Sequence, residues 1–223
     1  MPKPLPWSYS SLDDFVNCPR SFYEKRITKS VKDLGGEHLV WGNYVHKAFE
    51  DRIKDKTMLP SELEMHETFM ESLETKPGTI TTERKIALNR KVEPCGFFDG
   101  DVWFRGVIDL AIVHENSAQL YDYKTGKPHS KFKQLKLFAL HTFAEHPQVD
   151  HVHVRFYWTK TQTVTGENYK REQINKLWSE FTPDLKQYVE AFKTDTWQPR
   201  QSGLCNGWCP VTSCEFWKER RRW

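Results

Sequence analysis

The sequence predicts an α/β fold in which helices flank a mixed central sheet. Helical spacing of apolar residues dominates the first 76 residues, and strand patterns begin after Pro77-Gly78. A helical segment then separates the third strand from a further strand, an order that gives a mixed sheet rather than a purely antiparallel one. With 223 residues, 38% of them apolar, the chain can form one domain with embellishments around a sizeable core.

Helices are predicted throughout the N-terminal part, residues 1–76. Ser10 is the predicted N-cap of the first helix, with Asp13 completing a loose capping box. Pro19 breaks that helix and can start the next one. Residues 37–56 form a longer helix because apolar residues recur at helical spacing, and a capping-box signature starts another helix over residues 61–74.

The first predicted strands form an antiparallel pair. Residues 79–88 carry Thr and Ile in a roughly alternating run, as expected of a strand. Asp99-Gly100 is a strong hairpin-turn signal, so we expect it to join a segment around residues 92–98 to a strand over 101–113.

The remaining elements alternate between strand and helix. A strand over residues 118–124 precedes a helix over 129–145, and clean alternation of apolar residues predicts a strand over 152–158. Residues 171–193 form one long predicted helix, and a tail rich in Cys and Trp begins at residue 197. We therefore predict a single domain over residues 1–223, with a helical part (1–76), a core (77–195) and a tail (196–223).

Composition restricts the cellular compartment and the kinds of partner that we expect for this protein. A net charge of +3 permits an anionic partner without demanding one. No apolar run reaches the roughly 18 residues that span a bilayer, and the N-terminus lacks a signal-peptide pattern, so we expect a cytoplasmic protein without a membrane partner. In a reducing compartment, the five cysteines are interpreted as thiols or as metal or cluster ligands rather than as disulfides.

Two carboxylates and a lysine form the predicted centre of the chemistry. Asp109 ends the sequence G-V-I-D, Asp122 lies thirteen positions later (122 − 109), and Lys124 follows Asp122 by two. Asp122 and Lys124 share a strand face, and Asp109 lies between apolar neighbours, where an unpaired carboxylate is costly. Carboxylates that bind Mg²⁺ or Mn²⁺ beside a fixed positive charge suit metal-assisted cleavage of a phosphodiester, whereas a solvated strand pair without function is the weaker interpretation.

These motifs, in this order, resemble the PD-(D/E)XK nuclease superfamily, and more narrowly its RecB-family branch. The segment that starts at Ser8, S-Y-S-S-L-D-D-F-V-N-C-P-R-S-F-Y, and the sequence G-N-Y-V-H around His46 add to the resemblance. It implies a restriction-endonuclease-like fold in which Asp109, Asp122 and Lys124 are catalytic. The backbone carbonyl of Tyr123 would be a further metal ligand.

The resemblance also implies roles for residues outside the central motif. His46 would be a further metal ligand or a phosphate contact, and Gln134 would position DNA or Lys124. Glu83 is a weaker match to the family's upstream glutamate. The family often has Tyr four residues after the glutamine, and this chain has Phe138, so the hydroxyl contact with DNA is lost while stacking or packing is retained.

Four cysteines resemble those of iron–sulfur nucleases, namely the AddB-type subunits and the CRISPR-associated RecB-like exonucleases. Cys18 precedes the core, and Cys205, Cys209 and Cys214 lie in the tail. The resemblance implies a 4Fe–4S cluster that fastens the tail to the N-terminal helices. The tail gaps are three and four residues where two and five are expected, so structural Zn²⁺ and free thiols stay open, and Cys95 is not an expected ligand.

DNA contacts are expected from basic and aromatic residues. Arg20 belongs to a basic group near the first helices, and another group follows the predicted active-site strand. Arg220–Arg222 close the chain. Aromatic residues that could stack on bases of a single strand are Trp7, Tyr9, Phe22 and Tyr23.

We expect a metal-dependent DNA exonuclease that acts on single strands or DNA ends, in recombination, repair or phage DNA metabolism. Its location would be the cytoplasm of a bacterial or phage-infected cell, either alone or with a helicase or recombination partner. Two alternatives stay open: a structure-specific endonuclease on the same fold, and a non-catalytic DNA-binding subunit.

Overall fold

We analysed a computed structural model of the chain, which describes residues 5–32 and 36–219. Arg220–Arg222 lie outside the described residues. The chain folds as two compact units. We call Gly35–Trp178 the sheet unit, and Met1–Leu34 together with Ser179–Trp223 the cysteine unit. The interpretation of residues 1–223 as one domain in three parts stays a prediction.

The α-helices are α1 (Tyr9–Asn17), α2 (Pro19–Phe22), α3 (Glu37–Lys54), α4 (Glu67–Glu74), α5 (Lys133–Glu145), α6 (Ile174–Ser179) and α7 (Thr182–Thr194). A π-helical turn follows α2 (Tyr23–Ile27), and short 3₁₀ helices occur at Ser61–His66, Arg171–Gln173 and Gly203–Cys205. Among the described residues, no helix combines the length and hydropathy that a membrane span requires.

Five strands form one sheet in the order of the sequence: β1 (Thr79–Asn89), β2 (Val102–His114), β3 (Ser117–Lys124), β4 (His151–Trp158) and β5 (Thr163–Lys170). All neighbouring pairs are antiparallel except β3 and β4, which are parallel and are connected through α5. A parallel pair needs such a crossover. The predicted α/β fold, with a mixed sheet flanked by helices, is confirmed.

One face of the sheet packs against α3 and α4. Val45, Phe49 and Ile53 recur at helical spacing on α3 and join a buried cluster with Leu110 and Tyr123 from the sheet. Since the same helical face also contains His46, burial of this apolar stripe fixes the direction in which the imidazole points.

Three predicted elements differ at their boundaries. The N-cap of α1 is Ser8 rather than Ser10, because the hydroxyls of Ser8 and Ser11 accept each other's backbone N–H groups at 3.2 and 2.8 Å. The predicted helix over 61–74 divides into a 3₁₀ segment and α4. Instead of beginning at residue 129, α5 begins at Lys133.

The hairpin expected between a segment around residues 92–98 and the next strand does not form. This segment folds on itself, because the side chain of Asn89 accepts the N–H groups of Lys91 and Glu93, and that of Asp99 accepts the N–H of Gly96. The Asp99-Gly100 turn therefore closes a compact connection, and β1 pairs directly with β2.

The long helix predicted over residues 171–193 is interrupted after Ser179. Pro183 stands in the first turn of α7, where its ring would clash with the carbonyl of residue 179 in a continuous helix. The separate strand β5 was missed by the sequence analysis.

In the cysteine unit, aromatic side chains form the core. Trp7 and Phe22 are each 1% exposed, and the ring of Tyr23 stacks on Trp197 with a centroid distance of 5.0 Å. The prediction that Trp7 and Phe22 stack on DNA bases is therefore wrong, because neither ring has a face open to solvent.

Candidate active site

The two candidate carboxylates lie where β2 and β3 separate. Ladder pairing between these strands ends at Leu110 and Tyr121, and Asp109 and Asp122 are the next residues along each strand. Asp109 is 6% exposed and Asp122 is 2% exposed. The Oδ2 of Asp109 accepts the backbone N–H of Tyr123 at 2.6 Å, so this carboxylate replaces the missing ladder contact and its orientation is fixed.

Lys124 and Gln134 form a closed triangle of contacts with Asp122. The Nζ of Lys124 lies 2.6 Å from Asp122 Oδ2 and donates to Gln134 Oε1 at 2.9 Å. The Nε2 of Gln134 donates in turn to Asp122 Oδ1 at 2.7 Å. Because Gln134 lies in the first turn of α5, the crossover helix orients both the lysine and the carboxylate.

His46 and Glu83 approach Asp109 from two other elements. The Nδ1 of His46 on α3 lies 3.3 Å from Asp109 Oδ1 and 3.6 Å from Glu83 Oε1 on β1. One donor atom from each of these three residues lies within 4.8 Å of the other two. The Nε2 of His46 is 3.0 Å from the carbonyl oxygen of Tyr123. An imidazole that donates one N–H to a backbone carbonyl and points its other nitrogen at carboxylates has the arrangement of a metal-binding histidine.

The charges of the site perturb the pKa values of its members. Burial and then the charge of Asp109 raise the pKa of Asp122 to about 7, against the opposing effect of Lys124. Burial lowers the pKa of His46, but its contacts with Asp109 and Glu83 outweigh burial and raise the pKa to about 10. Concentrated negative charge in a buried position is relieved by a bound cation, and the buried Oε1 of Glu83, which lacks a hydrogen-bond partner, is available to bind one.

Two further predicted residues lie away from this cluster. Phe138 is 3% exposed on α5, so it packs in the core and offers no ring face for stacking on DNA. Arg20 lies in the cysteine unit, where it forms an ion pair with Glu24 at 2.7 Å.

All four predicted cysteine ligands line one cavity of the cysteine unit. Arg20, Arg200 and Trp217 line it together with Cys18, Cys205, Cys209 and Cys214. The sulfur of Cys18 accepts the backbone N–H groups of Ser21 and Arg200 at 3.5 and 3.4 Å, and Cys205 accepts that of Ser202 at 3.5 Å.

Two features of these sites were missed by the sequence analysis. Glu83 has a left-handed backbone with φ of 45°, and the donors to Cys18 are backbone groups. Neither depends on residue type, so no sequence signal could have found them. Cys95, Asp99 and Asp101 also have donor atoms within 4.8 Å of one another, but the carboxylate of Asp99 already accepts the N–H of Gly96.

A solved structure shares the fold of this chain. No protein with curated annotation matches the chain. Among solved structures, a provisionally named exonuclease from Eubacterium rectale is 11% identical over 91% of this chain and 86% of its own, with a TM-score of 0.54. The protein SSO0001 is 14% identical over 96% of this chain and 88% of its own, with a TM-score of 0.47.

A family model described as the PD-(D/E)XK nuclease superfamily matches residues 6–214, which include both units and every residue of the carboxylate site. With the mixed sheet and the Asp109, Asp122 and Lys124 constellation in place, the chain belongs to the PD-(D/E)XK nuclease superfamily.

Proposed function

We propose that the protein is a metal-dependent deoxyribonuclease that works as an exonuclease on single-stranded DNA or DNA ends. The observation that carries this proposal is the contact triangle of Asp122, Lys124 and Gln134 beside Asp109 and His46. The name of the Eubacterium rectale protein, and the resemblance to the RecB-family branch, favour an exonuclease over an endonuclease.

Mg²⁺ or Mn²⁺ fits the donor set. Asp109, Asp122 and Glu83 would supply carboxylate oxygens, His46 would supply Nδ1, and the carbonyl of Tyr123 is nearby. When bound, the cation lowers the pKa of coordinated water and offsets charge on the phosphoryl oxygens. The fit rests on Glu83 Oε1, which is buried and accepts no hydrogen bond, and on the raised pKa of Asp122.

The roles of the protein's own residues follow from their contacts. Lys124 is a positive charge held at a fixed position by Asp122 and Gln134, so it can orient the attacking water and stabilise negative charge that develops on the phosphoryl group. Gln134 prevents the lysine from turning away. Asp109, anchored by the N–H of Tyr123, keeps the two strands at the separation that the site needs.

The test is digestion of end-labelled linear and circular single-stranded DNA with Mg²⁺ or Mn²⁺. We expect degradation of the linear strand only, and its loss in Asp122→Asn and Lys124→Ala with little change in thermal stability. Lys54→Ala, which removes an exposed cation on α3 remote from the triangle, is the matched control. Unchanged degradation by both variants would exclude the assignment, and cleavage of circles would favour the endonuclease alternative.

We also propose that the four cysteines hold a 4Fe–4S cluster. Four thiols around one cavity suffice for such a cluster, and N–H donors already point at two of the sulfurs. Structural Zn²⁺ bound by the four thiolates is the alternative.

Purification without oxygen tests the cluster. We expect a brown protein with iron and sulfide, and loss of colour in Cys18→Ser and Cys209→Ser but not in Cys95→Ser. Colourless protein with stoichiometric zinc would favour the structural Zn²⁺ alternative instead.

A further inference from the structure

An exposed aromatic and basic patch lies at the end of the β1–β2 hairpin. We call it the hairpin patch and define it by Lys85, Phe97, Phe98 and Arg105. Phe98 is 78% exposed, and its ring lies 5.1 Å from that of Phe97 in an edge-to-face arrangement. A large apolar ring so open to water, on a connection that is otherwise closed by its own hydrogen bonds, is suited to contact a ligand.

Two cations face these rings. The guanidinium of Arg105 is 5.2 Å from the centre of Phe97 and 5.9 Å from that of Phe98, and the Nζ of Lys85 is 5.8 and 5.7 Å from them. The Nε of Arg105 is buried without a hydrogen-bond partner. Within the described part of the chain, neither cation forms an ion pair, in contrast to Arg52 and Arg84, which pair with glutamates.

The patch lies on the same two strands as Glu83 and Asp109 of the candidate active site. Arg105 precedes Asp109 by four residues on β2, a distance of about 13 Å along a strand, and Lys85 follows Glu83 by two on β1, or about 7 Å. A ligand that is extended and anionic can therefore reach the patch while one of its groups lies at the carboxylates.

We propose that the hairpin patch is a subsite for single-stranded nucleic acid, in which Phe98 stacks on a base while Lys85 and Arg105 contact phosphates of the same strand. The inference rests on the proposed function, since the strand is the one whose scissile bond lies at Asp109 and Asp122. The combination of a sequence-tolerant stacking platform and cations that form no ion pair is the one that single strands require.

The chemistry of the patch favours single-stranded nucleic acid as its ligand. Base faces are the apolar surfaces of the substrate, and its phosphates can pair with the two cations. Asp99 and Asp101 lie on the same connection, but among the described residues neither forms an ion pair with Lys85 or Arg105.

The test measures binding of an about 15-nucleotide, fluorescently labelled single strand by anisotropy in the presence of a chelator. Loss of one stacked base predicts that Phe98→Ala weakens binding about 5- to 150-fold. Phe98→Tyr should retain wild-type affinity, whereas Phe98→Leu, which keeps apolar surface but has no planar face, should weaken binding as Phe98→Ala does. Because Phe98 is exposed, thermal melting should be unchanged in all three variants.

The salt dependence of binding distinguishes the contribution of the cations from that of the Phe98 ring. Loss of one phosphate contact predicts that Arg105→Gln lowers the slope of log affinity against log salt by about 0.7, while Phe98→Ala leaves the slope unchanged. Lys54→Gln, an exposed lysine on α3, is the control and should alter neither quantity.

Two results would overturn the subsite. One is unchanged affinity in Phe98→Ala and Arg105→Gln. The other is that these two variants change only the association state of the protein, measured by sedimentation, which would identify the patch as a protein-binding surface. Binding in a chelator needs no catalysis, so an inactive enzyme whose Phe98 variants bind poorly would refute the proposed nuclease function and leave the subsite intact.

Discussion

At the scale of single residues, Gln134 connects the charged groups of the candidate site. Its amide joins the two charged groups of the candidate site, since it accepts from Lys124 and donates to Asp122. A glutamine can do both at once because its side chain has an acceptor and a donor on one planar group. Alanine at this position would leave the ion pair of Lys124 and Asp122 in place but would release its orientation.

We therefore predict that Gln134→Ala lowers kcat by about 10- to 100-fold, the range expected when hydrogen bonds to charged groups are lost. The effect on KM should be small, because the amide contacts protein groups rather than DNA. Steady-state hydrolysis of a labelled strand checks this, with Lys124→Ala as the reference for complete loss. An increase in KM with kcat retained would instead indicate a direct contact between Gln134 and DNA.

Residue types and spacing predicted which side chains meet at this site. Asp109, Asp122 and Lys124 could be predicted because strand alternation and an apolar neighbourhood restrict where they lie, and His46 because it shares a helical face with core residues. Glu83 was expected only from the family resemblance, and its backbone φ of 45° opposite Asp109 could not be predicted from residue type. A non-glycine residue in this region costs on the order of 1–3 kcal/mol, and such strain concentrates at functional sites.

At the scale of elements, β5 shows why part of the sheet escaped the sequence analysis. Only Tyr169 of its eight residues is buried, so the strand lacks the alternation of apolar and polar residues that marked β4. Gly166, in the middle of this strand, is also a residue type that weakens strands. The structure nevertheless requires glycine at this position. A Cβ at this position would lie 1.9 Å from the carbonyl oxygen of Val154 on β4.

We predict that Gly166→Ala lowers the free energy of unfolding by about 1–3 kcal/mol, the usual cost of overpacking, because backbone atoms of β4 would have to move. Val164→Thr, a swap at an exposed position of the same strand, is the control and should stay within about 0.5 kcal/mol of wild type. Urea titration followed by circular dichroism measures both. Equal stability of the two variants would mean that β5 is not seated against β4 as described.

At the scale of the whole molecule, stability depends on a buried histidine far from the proposed chemistry. His141 on α5 is 3% exposed, its Nδ1 has no hydrogen-bond partner, and Glu145, 3.7 Å away, pairs with Arg84. Burial, reinforced by the charges of Arg84 and His146, lowers the pKa of His141 to about 3. The folded protein therefore keeps this imidazole neutral under conditions in which the unfolded chain protonates it.

The sign of the pH dependence follows from that difference. Between the unfolded pKa of about 6.5 and the folded pKa of about 3, the unfolded chain binds one more proton, so acid favours unfolding. The contribution of His141 to stability is fully present above the higher value and falls as the pH decreases through this window, by on the order of a few kcal/mol in total.

In His141→Gln this part of the acid sensitivity should disappear, since the amide has no proton to bind. The measurement is the difference between wild-type and variant unfolding free energies from pH 7 down to pH 4, which removes the contributions of Asp122 and other groups common to both proteins. A constant difference across that range would show that His141 has the same pKa in the folded and unfolded chains, so that burial does not keep it neutral.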